Sequence, residues 1–217
     1  MVVAFHLVFN LSYFYGFDEL KYYEGFWFYE GRIAALLFMG MVGMVSAIIY
    51  QGKGAQKARQ INLKRGLKLL GIAMGITLVS WLTFPNEAVW FGILHLMGAS
   101  VILSIPLLRF KWLNVFLGAL LIFLGSFVDQ FTVNMPFLIP FGLTPKGFAS
   151  FDYYPLLPWF GVILIGIGLG NLLYKKIVQL KAPHRWQMAF IHLGKNSLWI
   201  YLLHLPLLYG VLWLIFE

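Results

Sequence analysis

Three histidines lie within stretches of the sequence that are apolar enough to span a lipid bilayer: His6, His95 and His204. A charged side chain at membrane depth costs about 2.5 kcal/mol or more, so ionisable residues there generally face a protein interior or a wet cavity. A neutral imidazole can take a proton from an attacking nucleophile, as general base catalysis requires. It can equally make a structural hydrogen bond between helices. Both interpretations apply to each histidine.

Two of these histidines belong to polar stripes with helical spacing. Asn10 follows His6 by four residues, so both lie on one face of a helix. Ser197 precedes His204 by seven residues and shares a helix face with it in the same way. His95 instead has small neighbours, such as Gly98, that let another helix or a ligand approach closely. On the residues alone, the three histidines are therefore equal candidates for a catalytic base.

The composition places the chain in a membrane. Of its 217 residues, 61% are hydrophobic and 11% are charged, and its mean hydropathy is +0.81, whereas a soluble domain carries about 25% charged residues. The lack of cysteine excludes disulfides, thiolate metal sites and a cysteine nucleophile. Because no HxxxH pair occurs, we expect no metal site. Basic residues beside apolar spans orient a membrane protein, so the net charge of +8 does not predict a nucleic-acid partner.

Apolar runs predict an all-α integral membrane protein, a bundle of about seven transmembrane helices that forms a single domain over residues 1–217. The predicted helices cover residues 1–15, 31–50, 66–84, 88–108, 112–128, 157–174 and 196–216. Most of the 16 basic residues then fall on one side of the membrane, and all 8 acidic residues fall on the other. This Lys/Arg bias predicts a cytoplasmic N-terminus and a C-terminus outside. The first stretch provides only about 22 Å of helix, so we expect the natural helix to begin upstream of Met1.

Glycines four residues apart predict close packing between helices. Gly71 and Gly75 form one such pair, and Gly166 and Gly170 form another. The second pair belongs to a Gly-Ile-Gly-Leu-Gly run, but no strand precedes it, so packing is a better interpretation than nucleotide binding.

Other candidate binding residues lie near the ends of the predicted spans. Arg32 opens the second span from the outer side, where it either snorkels to the interface or holds an anionic group. Asp152 and Trp159 belong to a polar and aromatic cluster at the end of the proline-rich outer segment 129–156. Long segments of this kind often serve as lids over a site. We therefore predict that this cluster lies at an outer entrance.

A basic cluster on the cytoplasmic side contains Lys64, Arg65 and Lys68. The ordinary role of such a cluster is to set the topology and to contact anionic lipids. It also suits the phosphates of a nucleotide-like donor, and both interpretations are open.

Five segments of the chain occur in an order that is specific to one family. They are Phe5-His-Leu-Val-Phe-Asn-Leu-Ser-Tyr-Phe14, Lys64-Arg-Gly-Leu-Lys68, Phe91-Gly-Ile-Leu-His-Leu-Met-Gly98, Asp152-Tyr-Tyr-Pro-Leu-Leu-Pro-Trp-Phe-Gly161 and Gly194-Lys-Asn-Ser-Leu-Trp-Ile-Tyr-Leu-Leu-His-Leu-Pro206. Together they cover nearly the whole chain, which resembles the heparan-alpha-glucosaminide N-acetyltransferase family in its small prokaryotic form.

The resemblance implies a multi-helix membrane enzyme that takes an acetyl group from cytoplasmic acetyl-CoA and delivers it across the membrane to the amine of a terminal glucosamine. It also implies an active histidine in the loop after the first span. In this chain that loop, residues 16–30, contains no histidine, and His6 lies in the helix before it.

We therefore predict a membrane acyltransferase of the cytoplasmic membrane that uses acyl-CoA, in the first place acetyl-CoA, as co-substrate. The predicted acceptor is an amine or hydroxyl of an outward-facing glycan or lipid. His6 would act as the general base, with Asn10 orienting the acceptor and His204 assisting. The residues predicted to contact the donor are Lys64, Arg65, Lys68, Asn196 and Ser197. The residues predicted to contact the acceptor are Arg32, His95, Asp152 and Trp159.

Two other hypotheses are open. One is a non-enzymatic transporter or accessory subunit with a histidine-lined path, and the other is a family member that folds but no longer catalyses. The expected surroundings are a lipid bilayer, and the sequence leaves a homodimer open.

Overall fold

The computed structural model describes residues 1–128, 130–179 and 185–216, and for residues 185 and 186 it describes only the backbone. In these ranges β-structure is limited to two isolated bridges, and the all-α prediction is confirmed. The chain forms, in order, α1 (Val2–Tyr15), α2 (Gly25–Lys53), α3 (Ala55–Thr83), α4 (Ile93–Leu103), α5 (Trp112–Val128), α6 (Leu156–Val178), α7 (Arg185–Lys195) and α8 (Ser197–Phe216).

Four of these helices, α2, α3, α6 and α8, are long and apolar enough to cross a membrane. The helices α1, α4 and α5 are also apolar but shorter. In α8 only 11% of the most apolar window is buried, so most of its side chains need lipid to cover them. The chain is an integral membrane protein. The number of crossings and the direction of the termini stay predictions, and Asp129, Lys181 and Glu217, which the charge pattern includes, lie outside the described residues.

Helix boundaries differ from the predicted ones in several places. The helix α2 begins at Gly25 rather than at residue 31, and α7 forms where a connection between two spans was predicted. Residues 55–65, predicted as a connection, instead form the first turns of α3, because they are rich in the good helix formers Ala, Gln, Lys and Arg. Only Gly54 separates α2 from α3, and its φ of 77° is a conformation that glycine adopts without strain. In contrast, α4 is shorter than the predicted span 88–108. At its start, hydrogen bonds described below hold the residues before Ile93 out of the helix, and after Leu103 the chain continues as a 3-10 turn over Ile105–Leu107.

One compact unit consists of residues 1–37 and the described residues from 179 onward. In it α1 packs along α8. The rings of Phe14 and Tyr209 lie 5.8 Å apart between centroids, and those of Tyr15 and Phe216 lie 4.9 Å apart. These aromatic contacts fix how α1 lies against α8.

The other compact unit consists of residues 38–178. Its helices approach one another through glycines, as small residues allow in membrane proteins. A Cβ placed on Gly118 of α5 would lie 2.5 Å from the carbonyl oxygen of Gly161 of α6, and the reverse substitution gives the same distance. The backbones of α5 and α6 are therefore in direct contact at this point.

The two glycine pairs with four-residue spacing differ in whether they pack against another helix. A Cβ on Gly166 would overlap the carbonyl oxygen of Gly40, and one on Gly170 would lie 2.8 Å from the carbonyl oxygen of Met44. The packing prediction for this pair is confirmed. For Gly71 and Gly75 it is wrong, since a Cβ at either position meets open space.

Candidate functional site

His6 and His204 form a hydrogen-bonded pair although they are far apart in the sequence. His6 Nδ1 lies 3.2 Å from His204 Nε2 and 2.9 Å from the carbonyl oxygen of Val2. The two imidazole rings meet edge to face, with 4.8 Å between their centroids. His204 is buried, with 5% of its surface exposed, whereas His6 is partly exposed. The packing of α1 on α8 thus brings together two of the three predicted catalytic residues.

The hydrogen bonds assign the tautomers of this pair. His204 Nδ1 faces the carbonyl oxygen of Tyr201, which can only accept, so Nδ1 carries the proton. In the neutral ring, His204 Nε2 is then an acceptor. His6 Nδ1 must therefore donate, and it does so to both His204 Nε2 and the Val2 carbonyl. This leaves His6 Nε2 with a lone pair, which is the state that a general base needs.

Asn10 lies one helical turn from His6 on the same face of α1. Its side chain is buried, with 3% exposed, and its amide nitrogen Nδ2 has no hydrogen-bond partner among the described residues. A buried amide donor without a partner costs about 1–3 kcal/mol. One face of α1 therefore carries His6 Nε2, which can accept a proton, and Asn10 Nδ2, which has an unused N–H donor. A general base and a hydrogen-bond donor to an oxyanion or to the acceptor substrate need these two properties.

The remaining predicted residues of this unit do not join the pair. The exposed guanidinium of Arg32 stacks on Phe28, 4.9 Å from the ring centroid. Asn196 lies between α7 and α8, where its Nδ2 donates to the carbonyl oxygen of His192 at 3.0 Å. Ser197 begins α8, and seven residues, or about 10 Å of helix, separate it from His204. Contacts of these residues with a substrate stay predictions.

His95 is buried, and both of its ring nitrogens make hydrogen bonds within the protein. Its Nδ1 accepts the amide hydrogen of Gly92 at 3.2 Å, so its Nε2 carries the proton and donates to Thr77 Oγ1 at 3.1 Å. The Thr77 hydroxyl in turn donates to the carbonyl oxygen of Val89 at 2.6 Å. The imidazole thereby caps the first turn of α4 and ties it to α3. Thr77 is not predictable from the sequence, because an isolated threonine in an apolar helix carries no signal of its own.

Asp152 meets His95 at the same helix end. Its Oδ2 accepts the amide hydrogen of Ile93 at 2.9 Å, and a Cβ on Gly92 would overlap this carboxylate. Burial raises the pKa of the Asp152 carboxyl to about 6, while the hydrogen bond from Ile93 opposes the shift. A carboxylate at a helix N-terminus is favourable in itself, but here desolvation has the larger effect.

The whole stretch around Asp152 is attached to the connection between α3 and α4. Ser150 Oγ donates to the carbonyl oxygen of Ala88 at 2.8 Å, and the amide of Phe151 donates to Glu87 at 3.0 Å. The amide of Tyr154 donates to the carbonyl oxygen of Phe91 at 2.9 Å. We call residues 150–154 the latch. Its hydrogen bonds hold the residues before α4 in an extended conformation.

Trp159 and the basic cluster lie elsewhere in this unit. The ring of Trp159 meets that of Tyr154 edge to face at 5.2 Å, so the latch and the start of α6 are in contact. Lys64 and Lys68 are exposed on α3, and Arg65 donates to Asn62 Oδ1 at 3.2 Å. A contact of these three basic residues with a donor stays a prediction.

A cleft of about 670 Å³ opens near the start of α3, and it carries two arginines. Arg59 comes from α3, and Arg109 comes from the turn between α4 and α5. The charge pattern predicts both arginines on one side of the membrane but does not predict that they share a cleft. Their 50-residue separation gives no periodic signal. No group of three His, Asp or Glu side chains that could hold a metal ion occurs in the part of the chain that the structure describes.

Comparison with known proteins identifies the family. The model for the family described as heparan-alpha-glucosaminide N-acetyltransferase, catalytic, matches residues 1–206. The comparisons with curated proteins and with solved structures gave no match. Because the family model covers nearly all of the 217 residues, the chain belongs to the heparan-alpha-glucosaminide N-acetyltransferase catalytic family, and its kind of activity is that of a membrane acetyltransferase.

Proposed function

We propose that this protein transfers an acetyl group from acetyl-CoA, bound from the cytoplasmic side, to an amine or hydroxyl of an outward-facing glycan or lipid in the cytoplasmic membrane. The observation that supports this proposal is the His6–His204 pair, whose hydrogen bonds leave His6 Nε2 free to accept a proton. Family membership supports the acetyl group and its thioester donor.

In the proposed reaction, the acceptor nitrogen or oxygen attacks the carbonyl carbon of the thioester. His6 Nε2 takes the proton that the acceptor loses, the new C–N or C–O bond forms, and the C–S bond breaks. The sulfur leaves as a thiolate and receives the proton from His6, so the imidazole returns to its starting tautomer. General base assistance of this kind contributes typically 10²–10⁴-fold in rate.

His204 and Asn10 have supporting roles in this proposal. His204 Nε2 accepts from His6 Nδ1–H and so stabilises the positive charge that His6 acquires during the reaction. Asn10 Nδ2 donates to the oxygen that becomes negative, for which preorganised donors are the largest usual contribution in acyl transfer. Its lack of a partner in the described residues supports this role.

The experiment is a transfer assay with purified protein in liposomes, with acetyl-CoA and a panel of amine and hydroxyl acceptors. Because the chain contains no cysteine, release of the CoA thiol can be followed with a thiol reagent without background from the protein. We expect thiol release that depends on the acceptor and is matched by acetylated product.

A matched control comes from His192. Its Nδ1 contacts the carbonyl oxygen of Met188 at 2.8 Å, which repeats the local contact of His6 with Val2, but no second histidine contacts it in the described structure. His6→Gln should lose at least about 100-fold in kcat/KM, and His192→Gln should stay within about twofold. If purified protein with bound acetyl-CoA transferred nothing to any acceptor, the transporter or inactive-member hypothesis would replace this one.

A further inference from the structure

The cleft in the unit of residues 38–178 is lined by two arginines that have no role in the reaction proposed for His6 and His204. It opens at the end of that unit where α2 ends and α3 begins. Tyr50 and Arg59 line it from α2 and α3, and Ile102 and Arg109 line it from α4 and the turn that follows. Its volume of about 670 Å³ lies within the range of small-molecule sites, which is about 300–1,000 Å³.

The lining carries two positive charges and no negative one. Arg59 and Arg109 are the charged residues of the cleft, and neither makes an ion pair with a carboxylate in the described part of the chain. The guanidinium of Arg109 stacks on Phe110, 4.6 Å from the ring centroid, which leaves its N–H donors free of that contact. Guanidinium groups suit phosphate oxygens because they donate two parallel hydrogen bonds.

The turn that carries Arg109 is held by buried amides. Asn171 Nδ2 donates to the carbonyl oxygens of Leu108 and Phe110 at 2.9 and 3.0 Å. Asn114 Nδ2 donates to the same Phe110 oxygen at 2.6 Å. The carbonyl groups of the two residues that flank Arg109 are therefore attached to α5 and α6. A turn fixed in this way positions its side chain before a ligand arrives, which lowers the entropic cost of binding.

A third helix completes this support. Gln51, near the end of α2, donates from Nε2 to Asn171 Oδ1 at 2.7 Å. This bond orients the Asn171 amide so that its Nδ2 faces the turn. The helix α2, whose Tyr50 lines the cleft, and the turn that bears Arg109 are thus joined by one hydrogen-bond chain.

We propose that this cleft binds a phosphate-bearing ligand, with Arg59 and Arg109 donating to phosphate oxygens and the apolar lining covering the rest of the ligand. Two ligands share this chemistry: the phosphates of CoA, and the headgroup of an anionic phospholipid. The assignment to CoA rests on the proposed function, whereas the phosphate site itself does not. In this proposal the phosphates lie at Arg59 and Arg109 rather than only along Lys64 and Lys68.

The test is calorimetric titration of the detergent-purified full chain with CoA and with inorganic pyrophosphate. Arg59→Gln and Arg109→Gln should each weaken CoA binding by about tenfold or more, since each removes a charge-assisted contact. Arg109→Lys keeps the charge and should lose less. The matched control is Lys176→Gln, which removes one exposed positive charge from α6 outside the cleft and should change the affinity less than about twofold. Unchanged thermal unfolding of each variant verifies that it folds.

A second arm measures binding of fluorescent phosphatidylglycerol to the same variants in phosphatidylcholine nanodiscs. Loss of lipid binding in both arginine variants, with no effect on CoA, would support the phosphate site and assign it to lipid. If neither ligand's affinity changes in folded Arg59→Gln and Arg109→Gln, the inference is overturned. The transfer assay separates this outcome from a failure of the proposed function. If both variants still transfer acetyl groups and bind CoA with parental affinity, the phosphate site is rejected and the acetyltransferase proposal stands.

Discussion

Asp152 offers a quantitative test of how the latch is held. Its pKa rises from 3.8 to about 6 in the folded protein. A shift of about 2 pKa units corresponds to about 3 kcal/mol, at 1.36 kcal/mol for each unit. Because the folded state binds this proton more tightly than the unfolded state does, the contribution to stability is fully present below about pH 4 and is lost as the pH rises to about 6.

The substitution Asp152→Asn removes the titration and keeps an oxygen that can accept from the Ile93 amide. At about pH 3.5, below both pKa values, the parent and the variant should have similar stability. At pH 7.5 the parent carries the cost of a buried carboxylate, and the variant should be more stable by up to about 3 kcal/mol, or roughly 6–12 °C in melting temperature.

The assay is thermal unfolding in detergent at a series of pH values, and the quantity compared is the difference between the two melting temperatures. Other groups that titrate affect both proteins, so the difference isolates Asp152. A difference that stays constant from about pH 3.5 to 7.5 would refute the reasoning, and so would one that favours the parent as the pH rises.

Three further predictions concern packing and hydrogen bonds. Gly166→Ala should destabilise the protein by about 1–3 kcal/mol, because the new methyl group would overlap the Gly40 carbonyl, whereas Gly71→Ala, in open space, should be neutral or stabilising by up to about 1 kcal/mol in the same unfolding assay. Thr77→Val leaves the buried Nε2–H of His95 without its acceptor and should cost about 1–3 kcal/mol; parental stability would contradict the assigned tautomer. Asn171→Leu should lower both the melting temperature and the CoA affinity, since it releases the turn of Arg109; a variant that melts earlier but binds CoA as the parent does would show that the turn needs no such support.

The sequence predicted the local part of this structure and missed contacts between distant residues. Runs of apolar residues predict helices such as α5 and α8 well, because span length and hydropathy are local properties. The start of α4 was missed, since it depends on the latch, which follows about 60 residues later. Similarly, helical spacing correctly put His6 and Asn10 on one face, but it could not show that His204 would meet His6, because this contact depends on how α1 packs against α8.

The central claim is that His6 is the general base of acetyl transfer, and chemical rescue tests it most directly. His6→Ala should reduce the transfer rate at saturating acetyl-CoA by at least about 100-fold, without a matching loss of CoA affinity. Added imidazole should then restore part of the rate in a concentration-dependent way, and it should have no such effect on the His192→Ala control. Transfer by folded His6→Ala at the parental rate, without imidazole, would contradict the account.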